Sequence, residues 1–271
     1  MDIYRQVTNF YKAVKGEKRI IGKSLFGRSM YAMKIGKGRP CGIVQCGIHG
    51  REYITAMLAL RQYEVGVARG SCWFIPLVNP DGALLAEQGI STVPHAEKQS
   101  LIALNGGSDF SLWKANGRGV DLNVNFDAKW GEGIKNVQKA GAENYVGAYP
   151  FSEPETLALK EFTEEIMPQY TVSYHTKGEE IYWYFHQSPR TCLRDRRYAE
   201  LLSSVNGYPV KITVGSVGGY KDWCIEKLGI SAFTVEVGKD SYAHPLGESA
   251  LEDILLKNEY SIYELSKEIE E

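Results

Sequence analysis

The sequence predicts an α/β sandwich around a largely parallel or mixed sheet. Two observations carry this. Short apolar runs that read as buried strands alternate with amphipathic stretches that read as helices. The residues best suited to chemistry fall just past the ends of those strands, where open α/β sheets place their sites. At 271 residues the chain is long enough for one sizeable domain, expected to span residues 1–271.

The elements follow in order. MDIYRQVTNFYKAVKG puts Ile3, Val7, Phe10, Tyr11 and Val14 on one helical face. GKSLFGRSMYAMKIG reads as two strands joined by a turn at Phe26-Gly27-Arg28. CGIVQC, at 41–46, is a buried strand that ends in Gly47-Ile48-His49-Gly50. A helical pattern runs over 52–65, and Gly66 stops it. CWFIPLV, at 72–78, is a second buried strand, stopped by the turn signature Asn79-Pro80-Asp81-Gly82. Residues 89–125 are rich in Gly, Ser and Asn and read mostly as loop, and so long a loop is usually functional. A helix over 154–167 has Ser152 as candidate N-cap. A strand over 170–174 ends at His175, and 181–185 reads as another. Helices over 193–206 and 220–228 close at Gly207 and Gly229. SAFTVEV, at 231–237, is a strand carrying Glu236, and 249–269 reads as one long helix.

Composition excludes several classes. A net charge of −2, with both signs mixed along the chain, gives no global field to attract nucleic acid or an anionic membrane surface. No apolar stretch is long enough to span a bilayer. The first residues lack the charged start, apolar run and cleavage site of a secretory signal, which favours a cytoplasmic setting. Cys41, Cys46, Cys72, Cys192 and Cys224 are odd in number and irregularly spaced. Buried thiols in a reducing compartment fit them better than a disulfide framework.

The sharpest signal is His49-Gly50-Arg51-Glu52, directly after a buried strand. A His and a Glu three residues apart across a strand-to-helix turn can face one point. Zinc accepts both donor types, and catalytic zinc sites use three protein ligands. His175 is the best third ligand, because it too ends a strand. Asp121, in GVDLN, is a candidate to hold one imidazole in the right tautomer. His95, His186 and His244 read as surface or loop residues, with His244 a candidate for the site mouth. Glu236 stands between Val235 and Val237, where a carboxylate is costly to bury without a role or a partner. It reads either as a general base with a raised pKa, serving a metal-bound water, or as a structural ion pair with Lys239 or Lys221.

Five motifs then fall into one order: HGRE at 49–52, NPDG at 79–82, GVDLNVNF at 119–126, the lone His175 after a strand, and FTVEVG at 233–238. This resembles the zinc carboxypeptidases of the funnelin type over essentially the whole chain, and GKSLFGRSMYAMKIG resembles the strand pair that opens their catalytic domain. The resemblance implies a three-layer sandwich with a mixed, largely parallel eight-stranded sheet between helices. It implies one zinc ion held by His49, Glu52 and His175. Glu236 matches the base that later passes its proton to the leaving amine. Arg51 matches an arginine of the substrate cleft, and Asn123 an asparagine that touches the substrate's terminal carboxylate. The family often carries an oxyanion-stabilising arginine before GVDLN. Here Lys114 stands at the matching place, with Arg118 as the second candidate, and lysine lacks the bidentate fork of arginine.

Two departures matter. The family's Arg-Asn after GVDLN is Val124-Asn125 here, and valine cannot grip a carboxylate. The family's mobile tyrosine would fall in VGSV at 214–217, and Tyr220 is the nearest tyrosine in that stretch. Both departures fit a subgroup, the γ-D-glutamyl-diamino acid peptidases and murein peptide amidases. SYHTKGEEIYWYF and GGYKDWCIEKLGISAFTVEVG resemble that subgroup most. The implied substrate is a cell-wall peptide cut between γ-D-Glu and meso-diaminopimelate. Lys221, Lys177, Glu179 and Glu180 are candidates to read its charges, Lys221 first, because its segment lines the family's specificity pocket. The rival readings are a conventional metallocarboxypeptidase, an acyl-amino-acid amidohydrolase, and an inactive zinc-stabilised module that captures wall fragments.

Overall fold

The computed structural model describes residues 2–270. Helix α1 (Ile3–Ala13) starts at Asp2, whose carboxylate accepts from Arg5 N at 3.0 Å. The chain continues through β1 (Lys18–Lys23), β2 (Ser29–Gly36), β3 (Cys41–Cys46), α2 (Thr55–Val65), β4 (Ser71–Ile75), α3 (Pro80–Gln88) and α4 (Lys98–Asn105). After a long irregular stretch come α5 (Pro154–Ile166), β5 (Tyr170–His175), β6 (Glu180–Tyr182), α6 (Pro189–Asn206), β7 (Val210–Lys211), α7 (Tyr220–Leu228), β8 (Ser231–Glu236), α8 (Glu248–Asn258) and α9 (Ser261–Glu268).

The strands form one eight-stranded sheet in the order β1-β2-β4-β3-β5-β8-β6-β7. The centre, β4-β3-β5-β8, is parallel. β1, β2 and the β6–β8 pair are antiparallel, and β7 runs parallel to β6. β3, β4 and β5 are buried along their whole length, as the continuous apolar runs of the sequence require. Alternation then divides their side chains between two cores. Val44, Phe74 and Val172 pack with residues of α2, α6, α8 and α9, whereas Ile43, Trp73 and Ile75 pack with residues of α5 and α7. The three-layer mixed sandwich is therefore as expected. No helix among the described residues is long and apolar enough to cross a membrane.

Several element boundaries differ from the expectation. Asn79-Pro80-Asp81-Gly82 starts a helix instead of making a turn. Asn79 Oδ1 accepts from Gly82 N at 2.8 Å and Pro80 occupies the first helical position, where its missing N–H costs nothing. The Gly/Ser/Asn-rich stretch contains α4. The long C-terminal helix is two helices. The break follows Asn258, whose carbonyl accepts from Gln62 Nε2 at 2.8 Å. Glu153, not Ser152, is the N-cap of α5.

Two glycines shape the turn after β3 that positions His49. Gly47 has φ +59°, and a Cβ there would lie 2.5 Å from Leu77 Cδ1. A Cβ on Gly50 would lie 2.5 Å from the Gly82 carbonyl oxygen and 2.8 Å from that of Trp113. Those neighbours are backbone and cannot rotate away. Gly50→Ala is expected to cost about 1–3 kcal/mol in thermal unfolding of the metal-free protein. It should also weaken zinc binding, because the whole turn must shift. An unchanged midpoint would show that the backbone yields there.

Candidate active site

The site lies where β3, β5 and β8 end side by side. β5 and β8 pair in parallel with His175 opposite Glu236, and β3 delivers its chain to Gly47 one strand away. From Gly47 the backbone enters a 3-10 turn, Gly50–Glu52, that brings Glu52 back beside His49. Thr55 locks the turn: its hydroxyl accepts from Gly47 N at 3.0 Å and donates to the Glu52 carbonyl at 2.8 Å. Gly50 N donates to the Lys114 carbonyl at 2.9 Å, so the same turn anchors the segment carrying Lys114.

His49, Glu52 and His175 converge and are all buried. His49 Nδ1 lies 3.0 Å from Glu52 Oε1, His175 Nδ1 lies 3.0 Å from Glu52 Oε2, and the two Nδ1 atoms lie 3.0 Å apart. Two imidazole nitrogens face each other here, and at most one proton fits between them. A tetrahedral cation with zinc-to-nitrogen bonds of about 2.0–2.1 Å separates its ligand atoms by roughly 3.3 Å, close to this spacing. Asp121 Oδ1 sits 3.2 Å from His49 Nε2, and this buried carboxylate favours a proton on that nitrogen, with the Nδ1 lone pair left inward. The donor set therefore fits zinc, the family's metal.

The electrostatics are consistent with a site built to hold fixed charge. Burial pushes the Glu52 carboxyl up, but His49 and hydrogen bonds to both imidazoles outweigh it and hold it well below the usual range. Asp121 is likewise fully buried and held low by Lys114 and His49. Its Oδ2 lies 3.0 Å from Lys114 Nζ. Burial works against the Lys114 charge, yet Asp121 and Glu52 keep the ammonium above its ordinary pKa.

Glu236 ends β8 beside this group. Burial pushes its carboxyl up to about 7, His175 opposes the shift, and Glu52 adds to it. The ion-pair alternative fails for the two lysines considered: Lys239 pairs with Asp253 at 3.9 Å and Lys221 with Asp222 at 2.5 Å.

A cleft of about 630 Å³ opens over the site and is lined by His49, Arg51, Lys114 and Asn123 among others. Arg51 reaches Glu143 at 3.5 Å, and Asn123 Oδ1 accepts from Tyr220 N at 3.1 Å. Val124 also lines the cleft, where the family's arginine would stand. The structure separates the two oxyanion candidates. Lys114 is in the cleft, whereas Arg118 pairs with Glu153 at 3.5 Å and borders a different pocket with Leu25 and Phe26. Lys221 is not among the lining residues. It is buried, donates to the Tyr184 carbonyl at 3.1 Å, and lies 5.4 Å from the Phe185 ring centre. Tyr220 is buried with its hydroxyl 2.8 Å from Thr163 Oγ1, so it does not replace the mobile tyrosine. His244 is half-buried, and burial and the charge of Arg51 lower its pKa. A larger groove of about 760 Å³, bordered by Arg190, Arg194 and Arg197, lies at the opposite ends of β5 and β8, by Gln169 and Ser231.

Sequence reasoning missed Tyr182 and Lys211, which line the cleft with Glu180. Glu180 and Tyr182 share a face of β6 two residues apart. Only the pairing of β6 with β8 reveals that this face is the cleft, because Glu180 stands directly opposite Glu236.

Comparison with known proteins agrees with this site. Residues 15–261 match the family model described as zinc carboxypeptidase. The chain is 33% identical over 250 residues to γ-D-glutamyl-L-diamino acid endopeptidase 1 of Lysinibacillus sphaericus, a match covering 84% of this chain and 62% of that protein. This chain thus spans under two-thirds of that relative's length. It is 29% identical over 231 residues to murein peptide amidase A of Escherichia coli K12, covering 79% of this chain and 78% of the amidase. Among solved structures, bovine thrombin-activatable fibrinolysis inhibitor superposes with a TM-score of 0.73 at 21% identity, over 98% of this chain and 94% of its own. The murein-tripeptide amidase of Escherichia coli O157 superposes with a TM-score of 0.64 at 24% identity, over 95% of each chain. Motif order, sheet topology and the matched span agree, and the chain belongs to the zinc carboxypeptidase family.

Proposed function

We propose that this chain is a zinc-dependent peptidase that hydrolyses the γ-D-glutamyl–meso-diaminopimelate bond of bacterial wall peptides. The observation that carries the chemistry is Glu236 placed across the strand pair from His175, beside the His49–Glu52–His175 group. The substrate class is supported by the two wall-peptide relatives, and Val124 in the cleft marks a departure from the ordinary carboxypeptidase pattern.

His49, Glu52 and His175 would hold the zinc ion. When bound, zinc supplies Lewis acidity at the scissile carbonyl and lowers the pKa of its water toward neutrality. Glu236, whose carboxyl burial pushes up, takes the proton of the attacking water and delivers it to the leaving amine. Lys114, kept charged by Asp121, offers its remaining N–H groups to the negative charge that develops on the carbonyl oxygen. Arg51 and Asn123 orient the peptide along the cleft.

The test is incubation of the zinc-loaded protein with L-Ala-γ-D-Glu-meso-diaminopimelate, with free diaminopimelate read by mass spectrometry. Release by wild type and none by Glu236→Gln supports the proposal. No release, together with trimming of ordinary C-terminal residues in a parallel assay, overturns the substrate and keeps the chemistry.

A further inference from the structure

β6 adds to the cleft a charge pair that the hydrolytic step does not use. Glu180 faces Glu236 in the antiparallel β6–β8 pairing, and Tyr182 lies two residues on along the same face. Lys211 stands beside Tyr182 in the β6–β7 register. The Lys211 ammonium and the Tyr182 hydroxyl both bond the Glu180 carboxylate. Lys211 is half-exposed and all three residues line the cleft, on the sheet-edge side of Glu236. Water reaches the lysine side of this pair and screens it, so a ligand can exchange into it at small cost.

Glu236 is where the leaving amine would receive its proton, so the residue that departs starts there. Glu180 is one strand further toward the edge, roughly 5 Å away. A leaving residue with a charged head about that far from its first α-carbon would put it on this pair. Opposite charges on the protein want opposite charges on the ligand, and burying them unpaired would be costly.

We propose that Glu180, Tyr182 and Lys211 form a subsite for a zwitterionic side-chain head, an ammonium and a carboxylate on one carbon, carried by the leaving residue. Glu180 takes the ammonium and Lys211 the carboxylate, so the protein's own ion pair opens into two intermolecular ones with no change in net charge. The Tyr182 hydroxyl holds the Glu180 carboxylate in place while Lys211 turns away. The inference rests on the wall-peptide reading above. It names the residues that would separate meso-diaminopimelate from lysine, which has the ammonium but no second carboxylate.

The test compares two peptides, L-Ala-γ-D-Glu-meso-diaminopimelate and L-Ala-γ-D-Glu-L-Lys. Wild type should prefer the first. Lys211→Ala should raise its KM by roughly tenfold or more, the worth of one charge-assisted hydrogen bond, and erase the preference. Lys211→Arg should keep most of it, and Lys211→Ala should leave the KM of the lysine peptide near or below the wild-type value, whereas a merely structural role for Lys211 would raise both KM values together. Lys211→Ala with the preference intact overturns the subsite while leaving the proposed hydrolysis standing. If wild type cleaves neither peptide, calorimetry with free meso-diaminopimelate decides the subsite separately. Binding that Lys211→Ala weakens supports it without the hydrolysis, and no binding by wild type overturns it.

Discussion

Glu236→Gln is expected to lower kcat by about 10²–10⁴-fold, the contribution of a positioned general base, while the protein still binds one zinc per chain. The substitution keeps the shape of the side chain and removes only its basicity. Glu236 is not one of the three converging donors, so metal content by atomic absorption should match wild type. The pH profile gives an independent reading. Catalysis needs the carboxylate, so wild-type kcat/KM should rise with pH through the Glu236 pKa. Burial places that pKa at about 7 without a metal, and a bound dication nearby favours the charged form and draws it down. The acid limb should therefore lie at or below about 7, and the residual activity of Glu236→Gln should lack it. Full activity in the variant would remove Glu236 from the mechanism.

Much of this site was legible because its residues sit at strand ends flanked by apolar runs. CGIVQC and SAFTVEV mark buried parallel strands, and whatever follows such a strand emerges at one edge of the sheet. His49, His175 and Glu236 were readable for that reason, and Glu52 through its spacing from His49. Less was legible where tertiary contacts decide. Asn79-Pro80-Asp81-Gly82 has turn chemistry, but the same asparagine and proline also start helices. The break before α9 sits at a tertiary contact no local pattern shows, where Gln62, nearly two hundred residues away in sequence, donates to the Asn258 carbonyl. Lys221 lies in the segment that the family resemblance assigned to the specificity pocket, yet its ammonium turns into Asp222 and the Tyr184 carbonyl. Lys211 carried no signal, because β7 is two residues long and has no pattern to read.

His175→Ala is expected to abolish stoichiometric zinc binding and turnover together, which sets it apart from Glu236→Gln. Catalytic zinc sites use three protein ligands, and the change leaves only His49 and Glu52. The metal-free fold should tolerate the loss. His175 contributes to the sheet through its backbone, whose carbonyl accepts from Val237 N at 2.8 Å, and this survives in alanine. The change also removes the apposition of two Nδ1 atoms at 3.0 Å, which only a proton or a cation relieves. Zinc should therefore raise the wild-type unfolding temperature, by an amount corresponding to about 2.7 kcal/mol when free zinc is 100 times its Kd, and a chelator should reverse it. The variant should show no zinc-dependent shift. Its unfolding temperature should fall near that of chelator-treated wild type, because both then lack the cation that ties the ends of β3 and β5 together. Retention of one tightly bound zinc by His175→Ala would mean that the metal is held by other donors and that the convergence of His49, Glu52 and His175 serves the fold alone.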